Sequence, residues 1–140
     1  MTTILHIEVV GGDPAAVLNR IPVALVAAAN HIKGKVNVYP GPPHHPLRWA
    51  SLRQKRYVLA RGNLPYKRGG IGSQRLSASW SIIGESRQAT LISRATYAQY
   101  VLGPDHQQPF HKDTGWKNVS DVLEQEAENV LNVVKSVLEK

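Results

Sequence analysis

The side chains that could do chemistry are few, and their spacing decides what they could do. His44-His45 and the pair His106 and His111 could hold a metal ion, because an imidazole-only site needs no thiolate. His106 with Asp105 and Asp113 could activate water on a divalent ion, as in nuclease hydrolysis. Neither set has the i, i+4 helical pairing that brings two imidazoles to one ion, and the histidines stand in proline-containing stretches, where such rings are solvated or hydrogen-bonded. Glu124, Glu126 and Glu128 read as the solvated face of a helix. No order of Ser, His and Asp resembles a nucleophile elbow or a general-base pair. Cysteine is absent, which removes thiolate nucleophiles, disulfides and cysteine-ligated zinc. The expectation is a chain that is not an enzyme and carries no metal and no cofactor.

The glycine-rich stretch "RGGIGSQR" raises the question of a phosphate loop. It has neither the dinucleotide pattern G-x-G-x-x-G after a strand nor the P-loop pattern G-x-x-x-x-G-K-[ST]. We read 62–76 as a mobile arm that orders against a partner. Charge points the same way. Residues 44–103 hold ten basic side chains against Glu85 alone, whereas 104–140 hold four basic and seven acidic ones. A basic middle beside an acidic end predicts contact with nucleic acid or head-to-tail contact between copies of the chain. The residues expected to make a subunit, partner or DNA contact are Arg53, Arg56, Lys67, Arg68 and Arg75, with Tyr66. Cations for phosphates and rings for stacking would suit nucleic acid. The same composition fits Trp49 and Trp80 as core residues with arginines lying over their edges, and arginine with aromatic residues is also what protein interfaces select.

The elements that must position these residues are those of one domain of 140 residues. Residues 3–10 alternate as a strand. Asp13-Pro14 starts a helix whose apolar positions Val17, Leu18, Ile21, Leu25, Ala28, Ala29 and Ile32 recur until Gly34, with a kink or restart expected at Pro22. "VNVYPGPPHHP" reads as a short strand and a connector, and 47–60 as a helix with Trp49, Leu52, Tyr57, Leu59 and Ala60 on one arc that also holds Arg53 and Arg56. "SWSIIG" and "ATLIS" form two strands around a turn at 84–87, "ATYAQYV" a strand or a turn of helix, and "GPDHQQPFHKDTGW" a loop. Last comes an amphipathic helix with Asn118 as its cap and a face of Val119, Val122, Leu123, Ala127, Val130, Leu131, Val134, Val137 and Leu138. The predicted fold is α+β: a small antiparallel sheet covered by a proline-kinked N-terminal helix and a long C-terminal amphipathic helix, with a protruding Gly-rich basic loop. No apolar run approaches the roughly 20 residues that span a bilayer, and the N-terminus lacks a basic leader, so a cytosolic origin and no membrane partner are expected.

The order of motifs resembles a family of tailed-bacteriophage neck or tail-completion proteins. In that family a helix with a W-x-S-x-x-Q-R-R-like pattern precedes a P-Y-x-R-T-G-x-L-x-x-S-W-like segment, a strand pair, a Y-A-x-Y-V-x-G-x-x-Q-x-x-x-H-x-x-x-W-like stretch and a terminal helix. Trp49, Gln54, Lys55 and Arg56 match the first pattern; Pro65, Tyr66, Arg68, Leu76, Ser79 and Trp80 the second; Tyr97, Ala98, Tyr100, Val101, Gly103, Gln107, His111 and Trp116 the third. The similarity covers residues 47–140, and "RGGIGSQRL" replaces a tighter R-T-G-x-L, lengthening that loop by several residues. The resemblance implies a virion structural protein, made in the host cytoplasm and located in the neck or tail. It would form a hexameric or dodecameric homo-oligomeric ring at the head–tail junction and join the capsid connector to the tail. Its partners would be its own copies and other neck and tail proteins, with non-specific contact to packaged DNA where arginines face the lumen. The alternatives are a basic nucleic-acid-binding domain and, last, a metal-dependent nuclease.

Overall fold

The computed structural model describes residues 2–5, 13–38, 40, 49–60 and 75–140. In chain order these form β1 (Thr2–Leu5), α1 (Pro14–Val36), α2 (Leu52–Ala60), α3 (Arg75–Ala78), β2 (Trp80–Gly84), β3 (Ala89–Ser93), α4 (Ala98–Leu102), α5 (Pro109–Asp113) and α6 (Val119–Leu138). The fold is α+β, as expected. β2 and β3 are the predicted hairpin, closed by the bond from Glu85 N–H to the Gln88 carbonyl at 2.7 Å. β1 adds antiparallel to the other edge of β3, Thr3 opposite Leu91, so the sheet order is β1-β3-β2. β3 is central and alternates as a half-covered strand must: Ala89, Leu91 and Ser93 are buried, Thr90 and Ile92 only partly.

α1 is the element on which the rest is built. Asp13 accepts a hydrogen bond from Ala15 N–H, and Pro14 occupies the first turn, where its missing donor is harmless. The helix passes Pro22 as one continuous element and runs beyond Gly34 to Val36, with Asn37 as its C-cap. Of the kink or restart expected at Pro22, the restart does not occur, and the single N-terminal helix expected across it is present. The strand expected from Val36 is corrected, since Val36 ends α1. One lost hydrogen bond does not divide a helix whose length is anchored by burial: Ala24, Leu25, Ala28, Ala29, Ile32 and Val36 are all in the core. The sheet lies against one side of α1, so close that a Cβ on Gly84 would come within 2.7 Å of Val26 Cγ2. α6 is laid along α1. The two helices run antiparallel, since Arg20 Nη1 donates to the Leu138 carbonyl at 3.0 Å while His31 meets Glu126. α6 is capped by Asn118, whose side chain accepts from Asp121 N–H at 2.8 Å, and buries Val119, Val122, Val130 and Val134. Ala127 and Leu131, expected on that face, are exposed, as is Leu18 on α1. By length and composition Ala15–Val36 would suffice to cross a membrane, contrary to the sequence expectation. Its buried face is accounted for by α6 and the sheet.

Three further expectations change. The helix expected over 47–60 begins at Leu52, because Ser51 Oγ accepts from Gln54 N–H at 3.1 Å while Gln54 Oε1 accepts from Ala50 N–H at 2.8 Å. This is close to a reciprocal capping box. The arm expected over 62–76 ends earlier: Leu76 is buried in α3, where Ser79 Oγ bonds the Leu76 carbonyl at 2.6 Å and lies 2.8 Å from Ser93 Oγ. Residues 62–74 of that arm lie outside the described residues, as do residues 6–10 of the first expected strand. The loop expected before α6 contains α5, opened by Pro109, whereas "ATYAQYV", expected as a strand or a turn of helix, forms the helix α4.

Candidate functional site

Of the six residues expected to make contacts, the structure places Arg53 and Arg56 on α2, one turn apart and both exposed. Arg75 opens α3, without a described side chain; Tyr66, Lys67 and Arg68 lie outside the described residues. α2 is unlike the other long helices. Leu52 is 71% exposed, Tyr57 57% and Leu59 44%, so the arc read as an apolar face does not enter the core. Helical periodicity identifies such a face but not what covers it. Among the described residues Arg53, Lys55 and Arg56 form no ion pair. The surface is therefore basic and apolar together, which is unusual for a helix that merely faces water.

Trp49, just before α2, ties it to the body by rings. It stacks on Phe110 at 5.9 Å and 27°; Phe110 meets the His111 edge at 5.5 Å, and His111 meets Trp116 at 6.4 Å, nearly perpendicular. His111, a candidate metal or nuclease residue, is thus part of an aromatic train that ends at buried Trp116. His106 and Asp105 sit in an exposed turn, and Asp113 is exposed at the end of α5. Among the described residues no three His, Asp or Glu side chains converge on a point where a metal could bind; His44 and His45 lie outside them. Gln107 holds this region together, its amide donating to the carbonyls of Val101 and Trp116 at 2.9 Å each. Gly115, at φ 89°, makes the turn before Trp116.

A second feature was not anticipated from sequence. A cleft of about 300 Å³ opens between the C-terminal end of α1 and the first half of α6. Its floor includes Val36, Leu102, Trp116 and Val122, and its rim Lys35, Lys117, Gln125 and Glu126. Lys117 Nζ donates to Gln125 Oε1 at 2.9 Å. Glu126 Oε2 lies 2.7 Å from His31 Nε2 and accepts from Asn129 Nδ2 at 2.9 Å, while Oε1 is 3.3 Å from Lys35 Nζ. A carboxylate only accepts, so Nε2 carries the imidazole proton. Asn129 first, then His31, with Lys35 assisting and burial opposing, draw the Glu126 carboxyl from 4.5 down to about 2. The i, i+4 spacing of His31 and Lys35 was legible; their meeting with a glutamate 95 residues away was not.

The sign of the pH effect follows. A carboxyl whose folded value lies below its unfolded one stabilises the fold fully above the unfolded value, and loses that contribution as pH falls toward the folded one. The window here runs from 4.5 down to about 2. Glu126→Gln is expected to be less stable than the parent at pH 7, with the difference shrinking as pH falls through that window. Urea denaturation at pH 7 and at several acid values measures it; a pH-independent difference would show that the carboxylate charge plays no part.

Compared as a sequence with family models and with characterised proteins, and as a fold with solved structures, the chain matches none.

Proposed function

We propose that the chain is a structural protein of a tailed-phage neck, a tail-completion protein that assembles as a ring at the head–tail junction and acts by its interfaces. The observation that carries this reading is α2, where Leu52, Tyr57 and Leu59 stand exposed among Arg53, Lys55 and Arg56. Apolar side chains left in water beside cations suit a surface that is covered on assembly. The order of motifs over 47–140 supports the same reading, since it resembles that of neck proteins. Its third motif also has a plain structural use: Ala98, Val101, Gly103 and Trp116 are buried, and Gln107 braces the chain between them.

Particles released from producing cells test the proposal. Arg53→Glu with Arg56→Glu, in a chain that still folds, should yield separate filled heads and free tails in place of joined particles. Imaging of the unaltered particle should place the chain at the junction. Normal joining after deletion of the chain would overturn the reading. A second reading, a basic nucleic-acid-binding domain, is favoured by the same exposed cations, which form no ion pair among the described residues. It predicts that the purified chain binds duplex DNA with a steep loss of affinity as salt rises, and that the double replacement lowers both affinity and salt slope.

A further inference from the structure

α2 and α6 carry matching stripes. On α2, Leu52, Lys55, Arg56 and Leu59 stand at i, i+3, i+4 and i+7, so they share one line along the helix. All four are exposed. On α6, Glu124, Ala127, Glu128 and Leu131 have the same spacing, and they too are exposed, Leu131 at 51%. One line sets two cations between two leucines. The other offers two carboxylates with an alanine and a leucine. Among the described residues none of these four charges has an ion-pair partner, since Glu126, which does, lies on the side of α6 that faces α1. Within one chain the principal packing partner of α6 is α1.

We infer that the occupant of the α2 stripe is the α6 stripe of a second copy of this chain. Charge argues for a copy. The chain carries a net +7, so two molecules repel unless they meet where one is locally acidic, and the outer face of α6 supplies such a place. Lys55 and Arg56 then face Glu124 and Glu128, and the leucines at the ends of the α2 stripe cover Ala127 and Leu131. Lys135, one turn beyond Leu131 on the same line, would repel the α2 cations and so limits the contact to the part of α6 that precedes it. The two stripes are different surfaces, so the contact is head-to-tail: each copy offers one of each, and the arrangement continues until it closes as a ring. The inference deepens the proposed function and rests on it for the setting of the contact, not for the chemistry.

The absence of cysteine makes the contact directly testable. Leu52→Cys, Leu59→Cys and Leu131→Cys are made singly, with Ser86→Cys, in the exposed β2–β3 turn, as the reference. Folding of each is checked by circular dichroism. Under mild oxidation, a mixture of L131C with either L52C or L59C should give at least several-fold more mixed disulfide dimer than S86C gives with the same α2 variant. Which leucine reacts reports the relative direction of the helices. Adding R56E to the α2 partner should abolish the excess, and adding E128K to the other partner should restore it. Yields equal to the reference, an excess indifferent to R56E, or a predominance of L52C or L59C homodimers would overturn the inference. If the particle experiment shows unjoined heads and tails while disulfide yields match the reference, the neck reading stands and this contact falls. If the disulfides form as expected while deletion leaves particles intact, the reverse holds.

Discussion

Leu25→Ala is expected to lower the unfolding free energy by about 3 kcal/mol, within the range measured for emptying a fully buried leucine site. For a chain of this size that corresponds to a fall in Tm of roughly 10 °C. Leu25 is 1% exposed and packs with Ala29, Ala89, Ile21 and Ile82, where α1 crosses the sheet. α1 is held by the sheet and by α6, so it cannot settle into the vacated space without losing contact with the other neighbour. The cavity therefore stays open, and its cost adds to the lost transfer energy. Marginal stability makes such a loss a large part of the total. Leu131→Ala is the internal comparison: half its surface is already in water, and the change should stay within about 0.5 kcal/mol. Urea denaturation with an unchanged slope measures both. A loss below about 1 kcal/mol at Leu25 would mean that α1 is not pressed onto the sheet.

A single methyl at Gly103 is expected to cost about 2 to 3 kcal/mol. Gly103 follows α4 and is buried, its N–H bonded to the Gln99 carbonyl at 3.0 Å. Its φ of −70° suits any residue; space is what forbids a side chain. A Cβ would lie 2.4 Å from the Gln99 carbonyl oxygen and 2.9 Å from Gln99 Cα. These are backbone atoms, which cannot swing aside as a side-chain tip does, so either the α4 cap opens or the chain toward Gln107 shifts. Gln107 is bonded to Val101 and Trp116, and a shift there would disturb the rings that connect to α2. Gly103→Ala should therefore reduce near-ultraviolet tryptophan dichroism as well as Tm. Gly34→Ala gives the opposite sign: a Cβ there meets nothing within 4 Å, and alanine in a helix is favoured over glycine by roughly 0.5–1 kcal/mol. Equal behaviour of the two alanines would refute the steric account.

Whatever depends on neighbours a few residues apart was legible in the chain: the Asp13–Pro14 start of α1, the β2–β3 hairpin and its turn, and α6 with its Asn118 cap. Capping, turn chemistry and periodicity act over less than two helical turns, so residue order carries them directly. Even the late start of α2 had a local signal, Ser51 followed by Gln54 three residues later. Of the residues expected to make contacts, the placing of Arg53 and Arg56 on a helix was readable, because their segment has a helical pattern. What that helix leaves uncovered was not. Periodicity locates an apolar line on a helix, but the footprint of the neighbouring element decides how much of it is buried. The same rule covers Val130 and keeps Leu131 in water, and it leaves Leu52 and Leu59 exposed although they look like core residues in the sequence. The β1–β3 pairing, the placing of α1 between sheet and α6, and the meeting of His31 with Glu126 each join residues that no short spacing relates. They exist because folding buries the apolar faces of α1 on two sides at once, which is a property of the packed whole.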